Sequence, residues 1–386
     1  MNNYTTKKVF VAACIGMCFF GISMITLGSV LPMLTFKLGL NHLEAGGLVA
    51  FLPIGLLAGS LIFGPIVDRF GYKTLMLVSC LVVLFGLEGI ALFRSIPLLR
   101  LSILGIGLGG GILNGETNAL VSDLSDDREK GARLSLLGAF YGIGALGIPT
   151  LLSILYGHYP FETILQGIGI IMLAGIVYCM TTAFPPPKQP QGFPVMQGLK
   201  LLKEKSLVIF SFILFFQSGV EGVCNNWTAL YLQQVTLIPD SQALMSLTCM
   251  VTGLTVARLI LTVVFKKIKM EKVLFFSLFI VFAGFGILTF SSGFVQVATA
   301  MVLVGAGLAS TFPVIFSIIG SSYASLSGTA FSIVLVVALV GQTLLNSLMG
   351  ILSQLYGIGT YPFMMMISVI IIALLFKRSL NINFKK

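Results

Sequence analysis

The chain has 386 residues, 57% of them hydrophobic and 9% charged. A water-soluble domain carries about 25% charged residues, so this composition excludes one and implies an integral membrane protein. The net charge of +10 would suit a nucleic-acid binder, but the basic residues form short clusters between apolar runs, as topology-setting loops do, and no nucleic-acid partner is expected.

At about 20 apolar residues per crossing of a lipid bilayer, the sequence predicts about twelve spans. They lie near 9–35, 44–66, 74–94, 97–121, 131–157, 162–183, 206–234, 241–265, 272–291, 294–319, 327–354 and 358–377. The first run follows Lys7-Lys8, is too long for a signal-peptide core and has no clear small-residue cleavage site, so it is expected to stay. Most connections are short. The exception is 184–205, with Pro185-Pro186-Pro187, Pro190, Pro194 and four lysines. Proline runs cannot continue a helix, so this segment reads as a cytoplasmic linker between an N-terminal six-helix bundle (1–183) and a C-terminal one (206–386). Lys7, Lys8, Arg69, Lys73, Arg128, Lys130, Arg133, the linker lysines, Lys266, Lys267, Lys269 and Lys272 all fall on the side of the two termini, which are therefore expected in the cytoplasm. The expected fold is an all-α membrane protein of twelve transmembrane helices in two pseudo-symmetric six-helix bundles.

The halves repeat. Leu104-Gly105-Ile106-Gly107-Leu108 matches Val304-Gly305-Ala306-Gly307-Leu308 at a shift of 200, and Leu151-Leu152-Ser153 through Tyr156-Gly157 matches Ile351-Leu352-Ser353 through Tyr356-Gly357 at the same shift. Span four is thus expected to correspond to span ten, and five and six to eleven and twelve. Two like halves around a midplane site are a transporter architecture.

The polar residues inside the spans are the candidate site. Span seven carries Glu221 near its middle, where an ionised side chain costs about 2.5–3.5 kcal/mol unless it faces protein or water. At helical pitch Gln217, Glu221, Asn225 and Thr228 form one predicted stripe. Asn114 and Asn118 lie one turn apart in span four, as do Gln342 and Asn346 in span eleven. Carboxamides both donate and accept, which suits sugar hydroxyls, and Trp227 or Tyr141 could stack on a pyranose face; the same amides could instead join neighbouring helices. Glu221 and Glu116 are the candidates for proton coupling. Glu221 has two roles open: proton carrier and ligand acceptor, or permanent partner of Arg258 in span eight, which could also snorkel toward the cytoplasmic lysines. The six cysteines lie in apolar segments with no ligand set for a metal. No nucleophile–base pair and no phosphate loop appears, so no enzyme activity, cofactor or catalytic residue is expected.

Gly64-Pro65-Ile66-Val67-Asp68-Arg69-Phe70-Gly71-Tyr72-Lys73, in the turn between spans two and three, resembles the G-x-x-x-D-R-x-G-x-R/K motif of the major facilitator superfamily. The resemblance implies a cytoplasmic gate. The glycines allow a tight turn, Asp68 accepts from a neighbouring helix N-terminus, and Arg69 and Lys73 pair with carboxylates. Asp123, Asp126, Asp127, Arg128, Glu129 and Lys130 form a further loop cluster on that side, and Arg258 is assigned to the same gate.

A narrower likeness is to the fucose:proton symporter family of sugar permeases. Gly219-Val220-Glu221 with Trp227 and Tyr231, Phe140-Tyr141-Gly142-Ile143-Gly144-Ala145 with Gly147 and Pro149, Phe312-Pro313, and Gly328-Thr329-Ala330-Phe331 with Gly341 and Gly350 are similar to its spans seven, five, ten and eleven. Its span-four acid falls here on Asn114, with Glu116 displaced by two residues, and its span-five histidine on Gly138. The resemblance implies a secondary active transporter, expected to import a small hydrophilic solute, a sugar first, by symport with a proton or sodium. The protein would be a monomer in a bacterial inner membrane; the alternative is an exporter of drugs or amphipathic metabolites.

Overall fold

The computed structural model describes residues 4–40, 42–155, 158–188 and 200–383. Among them are twelve helices long and apolar enough to cross a membrane. Spans one to six are Thr6–Leu31, Gly47–Phe70, Tyr72–Leu92, Ile96–Leu124, Asp127–Leu152 and Phe161–Thr181. Spans seven to twelve are Lys205–Val235, Gln242–Lys267, Met270–Thr289, Phe294–Ser322, Ala324–Tyr356 and Ile358–Asn381. Each lies within a few residues of its predicted position, because apolar run length is itself the physical constraint. Of the linker's five prolines, Pro185, Pro186 and Pro187 lie in non-helical chain, and Pro190 and Pro194 fall outside the described residues.

The chain divides into two compact units that cut across the linker boundary. Unit 1 is Met1–Leu124, Phe140–Val195 and Tyr323–Ser332; unit 2 is Ser125–Ala139, Met196–Ser322 and Ile333–Lys386. The division falls inside spans five and eleven: the first turns of each pack with the unit opposite to the one that holds the rest of that helix.

Lipid tails give packed helices no hydrophobic advantage, so close backbone approach through small residues has to hold them. In unit 1, a Cβ added to Gly55 would collide with the Leu104 carbonyl, and one on Gly107 with the Leu52 carbonyl, so spans two and four cross backbone against backbone. Gly109 faces Ser79 and Val83 of span three, and Gly86 faces Ser102 and Ile106. Spans one and five cross in the same manner, with Gly144 against the Cys18 carbonyl.

Unit 2 repeats these crossings. Gly253 meets the Val302 carbonyl, Gly305 meets Met250, Gly307 meets Ser277 and Val281, and Gly284 meets Ala300 and Val304. Each contact in this set is offset by 198 residues from its unit 1 counterpart. Span four corresponds to span ten as expected, but at an offset of 198 in place of 200. A slip of two residues turns a helical side chain by about 200°, so Gly305 matches Gly107 and Gly307 matches Gly109. Consecutive glycines at 105, 107 and 109 made either alignment legible in sequence; only the partner helices distinguish them. The second matched motif contains Tyr156 and Gly157, which lie outside the described residues.

Span ten departs from one continuous helix. It consists of helices Phe294–Leu308 and Thr311–Ser322, with Ala309 and Ser310 between them. Pro313 has no N–H to donate to the carbonyl four residues back, that of Ala309, and this explains the interruption.

At the end away from the linker, unit 1 is tied by Glu162, which takes Lys37 from the end of span one and Arg94 at 3.2 Å from the turn before span four. Both bases are about half exposed, so these pairs set geometry more than stability.

Candidate functional site

The turn between spans two and three is shaped by Gly71, whose φ of +83° lies in the region that favours glycine. Just before it Asp68, 1% exposed, accepts from the backbone N–H of Thr329 at 3.0 Å and from its hydroxyl at 2.8 Å. Thr329 is the third residue of helix Ser327–Tyr356, so the carboxylate occupies that helix's N-terminus, where free N–H groups and the helix dipole favour an anion. Gly64 lies against the Gly328 backbone, and a Cβ on Gly328 would come within 2.8 Å of Asp68 Oδ1. Ser332 donates to the Ser60 carbonyl and, at 3.0 Å, to that of Leu61. Beside this contact Asp123 accepts from Tyr72, from Ser327 at 2.9 Å, and from Lys188 at 2.6 Å. Lys188 also donates to the Ala324 carbonyl at 2.6 Å. Arg69 is exposed, its guanidinium 5.0 Å from the Phe70 ring centre, and among the described residues neither it nor Lys73 forms an ion pair. All of these groups belong to unit 1.

Deeper in unit 1, Asn118 donates to the Asn114 carbonyl at 2.7 Å and to its side-chain oxygen at 3.3 Å. Asn118 is buried and Asn114 half-buried. Tyr141, also half-buried, has its ring 5.2 Å from that of Phe20 in span one. Glu116 is fully buried, and neither of its oxygens has a hydrogen-bond partner among the described residues. Two residues from each asparagine, it lies on a different face of span four from the pair. The two-residue displacement from the Asn114 face accounts for this turn.

In unit 2 the predicted stripe of span seven divides among several neighbours. Gln217 is 0% exposed and donates to the Leu308 carbonyl of span ten at 3.1 Å. Thr228, also fully buried, bonds the Tyr361 hydroxyl at 2.7 Å. Glu221 is half-buried and Asn225 exposed. A helix of 31 residues in contact with several others spreads an i, i+4 row over more than one neighbour, because 3.6 residues per turn make the row wind around the axis.

A second row, not singled out in the sequence, meets span eleven. Ser218 donates to Gln342 at 3.5 Å, Gly222 leaves room for Gln342 and Asn346, and Asn226 donates to Asn346 at 2.9 Å. Asn346 in turn donates to the Gln342 carbonyl at 2.7 Å. Asn226 is exposed and the two span-eleven amides are half-buried, so this row is open rather than sealed in packing. The spacing of Ser218, Gly222 and Asn226 at four residues was the available signal. Trp227 is half-buried, within 3.6 Å of where a Cβ on Gly350 would stand.

Arg258 of span eight does not snorkel. It is 7% exposed and donates through Nη1 to the Gly138 carbonyl at 2.9 Å, while Ser135 donates to the Arg258 carbonyl at 2.7 Å. A Cβ on Gly138 would stand 3.0–3.1 Å from the Arg258 side chain, so the missing side chain makes its berth. Arg258 is the cationic group near Glu221 in unit 2, and Glu221 accepts no hydrogen bond among the described residues. Nearby in unit 2, Lys130 bridges Asp127 at 3.0 Å and Ser321 at 2.8 Å. No cluster of metal ligands occurs among the described residues.

Comparison with known proteins adds the relationship. The chain is 26% identical over 245 residues to the 3-(3-hydroxy-phenyl)propionate transporter of Escherichia coli (strain K12), covering 59% of each chain. It is 26% identical over 175 residues to the benzoate transport protein of Acinetobacter baylyi, covering 43% of this chain and 37% of that one. The matches therefore span less than two thirds of these relatives. The crystal structure of the E. coli fucose:proton symporter superposes with a TM-score of 0.79 at 19% identity, over 96% of this chain and 98% of that one, and so shares the fold. Residues 13–344 match the Major Facilitator Superfamily as a family. With twelve apolar helices, glycine-lined crossings repeated between spans two to four and eight to ten, and a family match over most of its length, this multi-pass membrane protein belongs to the Major Facilitator Superfamily.

Proposed function

We propose that the protein is a secondary active transporter that imports a small polyhydroxylated solute, a sugar, by alternating access. It is no enzyme and works as a monomer in a bacterial inner membrane with both termini in the cytoplasm. The observation that carries this reading is the open row of Gln342, Asn346 and Asn226. Accessible carboxamides within a membrane span are costly against lipid and are retained where they meet water or a solute. Each amide offers donors and an acceptor, which matches vicinal hydroxyls. Trp227, one residue beyond Asn226, supplies an aromatic face. Glu221 is the site's carboxylate, and its half-exposure beside Arg258 lets it exchange a proton or accept a sugar hydroxyl. One proton entering down ~100 mV supplies about 2.3 kcal/mol, enough for ~50-fold accumulation.

Counterflow of labelled sugars in proteoliposomes tests the reading. Exchange with at least one sugar is expected, reduced about tenfold or more in Glu221→Gln; no exchange across a sugar panel would overturn it.

A second reading is favoured by Arg258. A guanidinium held near Glu221 in a buried position suits an aromatic carboxylate, and the two transporters named above are described by aromatic acids. Benzoate exchange without sugar exchange would select it.

A further inference from the structure

The break in span ten has no role in the reading above. Many membrane-embedded serines and threonines among the described residues return the hydroxyl proton to a carbonyl three or four residues back, as Thr299 does to Val295 at 2.8 Å and Ser321 to Ser317 at 3.0 Å, and others bond a neighbouring helix, as Thr228 does Tyr361. Ser310 and Thr311 do not. Both are 0% exposed, and among the described residues neither hydroxyl has a hydrogen-bond partner. The same holds for Oε1 of Gln217, which is brought to the break by its own amide N–H, bonded at 3.1 Å to the Leu308 carbonyl. Pro313 releases a further oxygen, the Ala309 carbonyl, from intrahelical bonding.

Three fully buried oxygens without partners, and a carbonyl freed by proline, lie on two neighbouring helices of one unit. Non-helical backbone at membrane depth persists where its polar groups are satisfied by protein, water or an ion. One of the two N–H donors of the Gln217 amide is engaged on the Leu308 carbonyl, and the amide oxygen can only accept. The set is rich in neutral oxygen and holds no carboxylate, which suits a monovalent hard cation better than a divalent one. We propose that the span-ten break, Gln217, Ser310 and Thr311 together form a binding site for an alkali cation, sodium. The site is distinct from the open amide row, and the assignment does not depend on which solute is carried.

The test uses the purified full-length protein in detergent, melted in choline chloride and then titrated with sodium or potassium chloride at constant ionic strength. The expected result is a midpoint that climbs with sodium concentration, as ligand linkage requires, and climbs less with potassium. Ser310→Ala with Thr311→Val should weaken the apparent sodium affinity about tenfold or more. Thr311→Ser, which keeps the oxygen, should retain the response even if the double variant folds poorly. Identical melts in sodium and choline would overturn the proposal, leaving the break filled by water alone. A sodium response unchanged in the double variant would overturn it equally, placing the cation elsewhere. Sugar counterflow, measured separately, is untouched by either outcome.

Discussion

Gly138 shows how one residue sets the position of another. In the sequence it is one glycine among many, yet its backbone carbonyl holds the Arg258 guanidinium and its missing side chain leaves the space for it. Gly138→Ala places a methyl 3.0–3.1 Å from a long, flexible side chain, which can yield by a few tenths of an ångström. Gly138→Val cannot be accommodated so simply. We expect the alanine variant to stay within about 1 kcal/mol of the parent in stability, and the valine variant to lose about 1–3 kcal/mol by overpacking, read by thermal melting in detergent. If Arg258 acts on the transported solute through Glu221, the valine variant should also raise the apparent KM in uptake assays more than it lowers the maximal rate. The polar stripe through Glu221 was legible in spacing, but the fate of each member was not. Which neighbour a side chain meets depends on where the other helices lie, and periodicity is silent on that.

Among the elements, the helix crossings separate glycines that are required from glycines that are tolerated. Gly305 stands where a Cβ would enter the Met250 carbonyl, and Gly107 stands at the equivalent crossing against Leu52. Gly147 and Gly286 have nothing within 4 Å of a Cβ. Alanine at 107 or 305 should force the helices apart and cost about 1–3 kcal/mol, whereas alanine at 147 or 286 should be neutral or gain about 0.4–1 kcal/mol by restricting the unfolded chain. Melting temperatures of the four single variants in one detergent check this, and equal losses at all four positions would contradict the crossing geometry. The span-ten break belongs to the same scale. Pro313 was visible in the sequence as part of an aromatic-proline pair, but a proline within a helix can kink it, break it or be absorbed, and the pair alone does not say which.

For the whole molecule, the contact of Asp68 with Thr329 joins the turn after span two to the start of span eleven. If the proposed cycle separates the start of span eleven from this turn, the contact breaks and re-forms in every cycle. Cysteines at both positions, Asp68→Cys with Thr329→Cys, should form an oxidant-induced cross-link that arrests solute exchange, with activity recovered on reduction above that of the uncross-linked Asp68→Cys variant before oxidation. Continued exchange in fully cross-linked protein would remove the contact from the transport cycle. The sequence by itself determined the class of protein, the number and limits of the spans, the correspondence of span four with span ten and the turn that holds Asp68. Those properties follow from local apolar length, charge clusters and short motifs, each readable within a few turns of chain. Tertiary structure decided the offset of 198, the division of the span-seven stripe, the row of amides on span eleven, the burial of Arg258 and the gap in span ten. Each of these depends on the rotation of one helix against another, and a rotation is fixed by residues of other helices, 91 to 120 positions away for Gln217, Asn226 and Arg258.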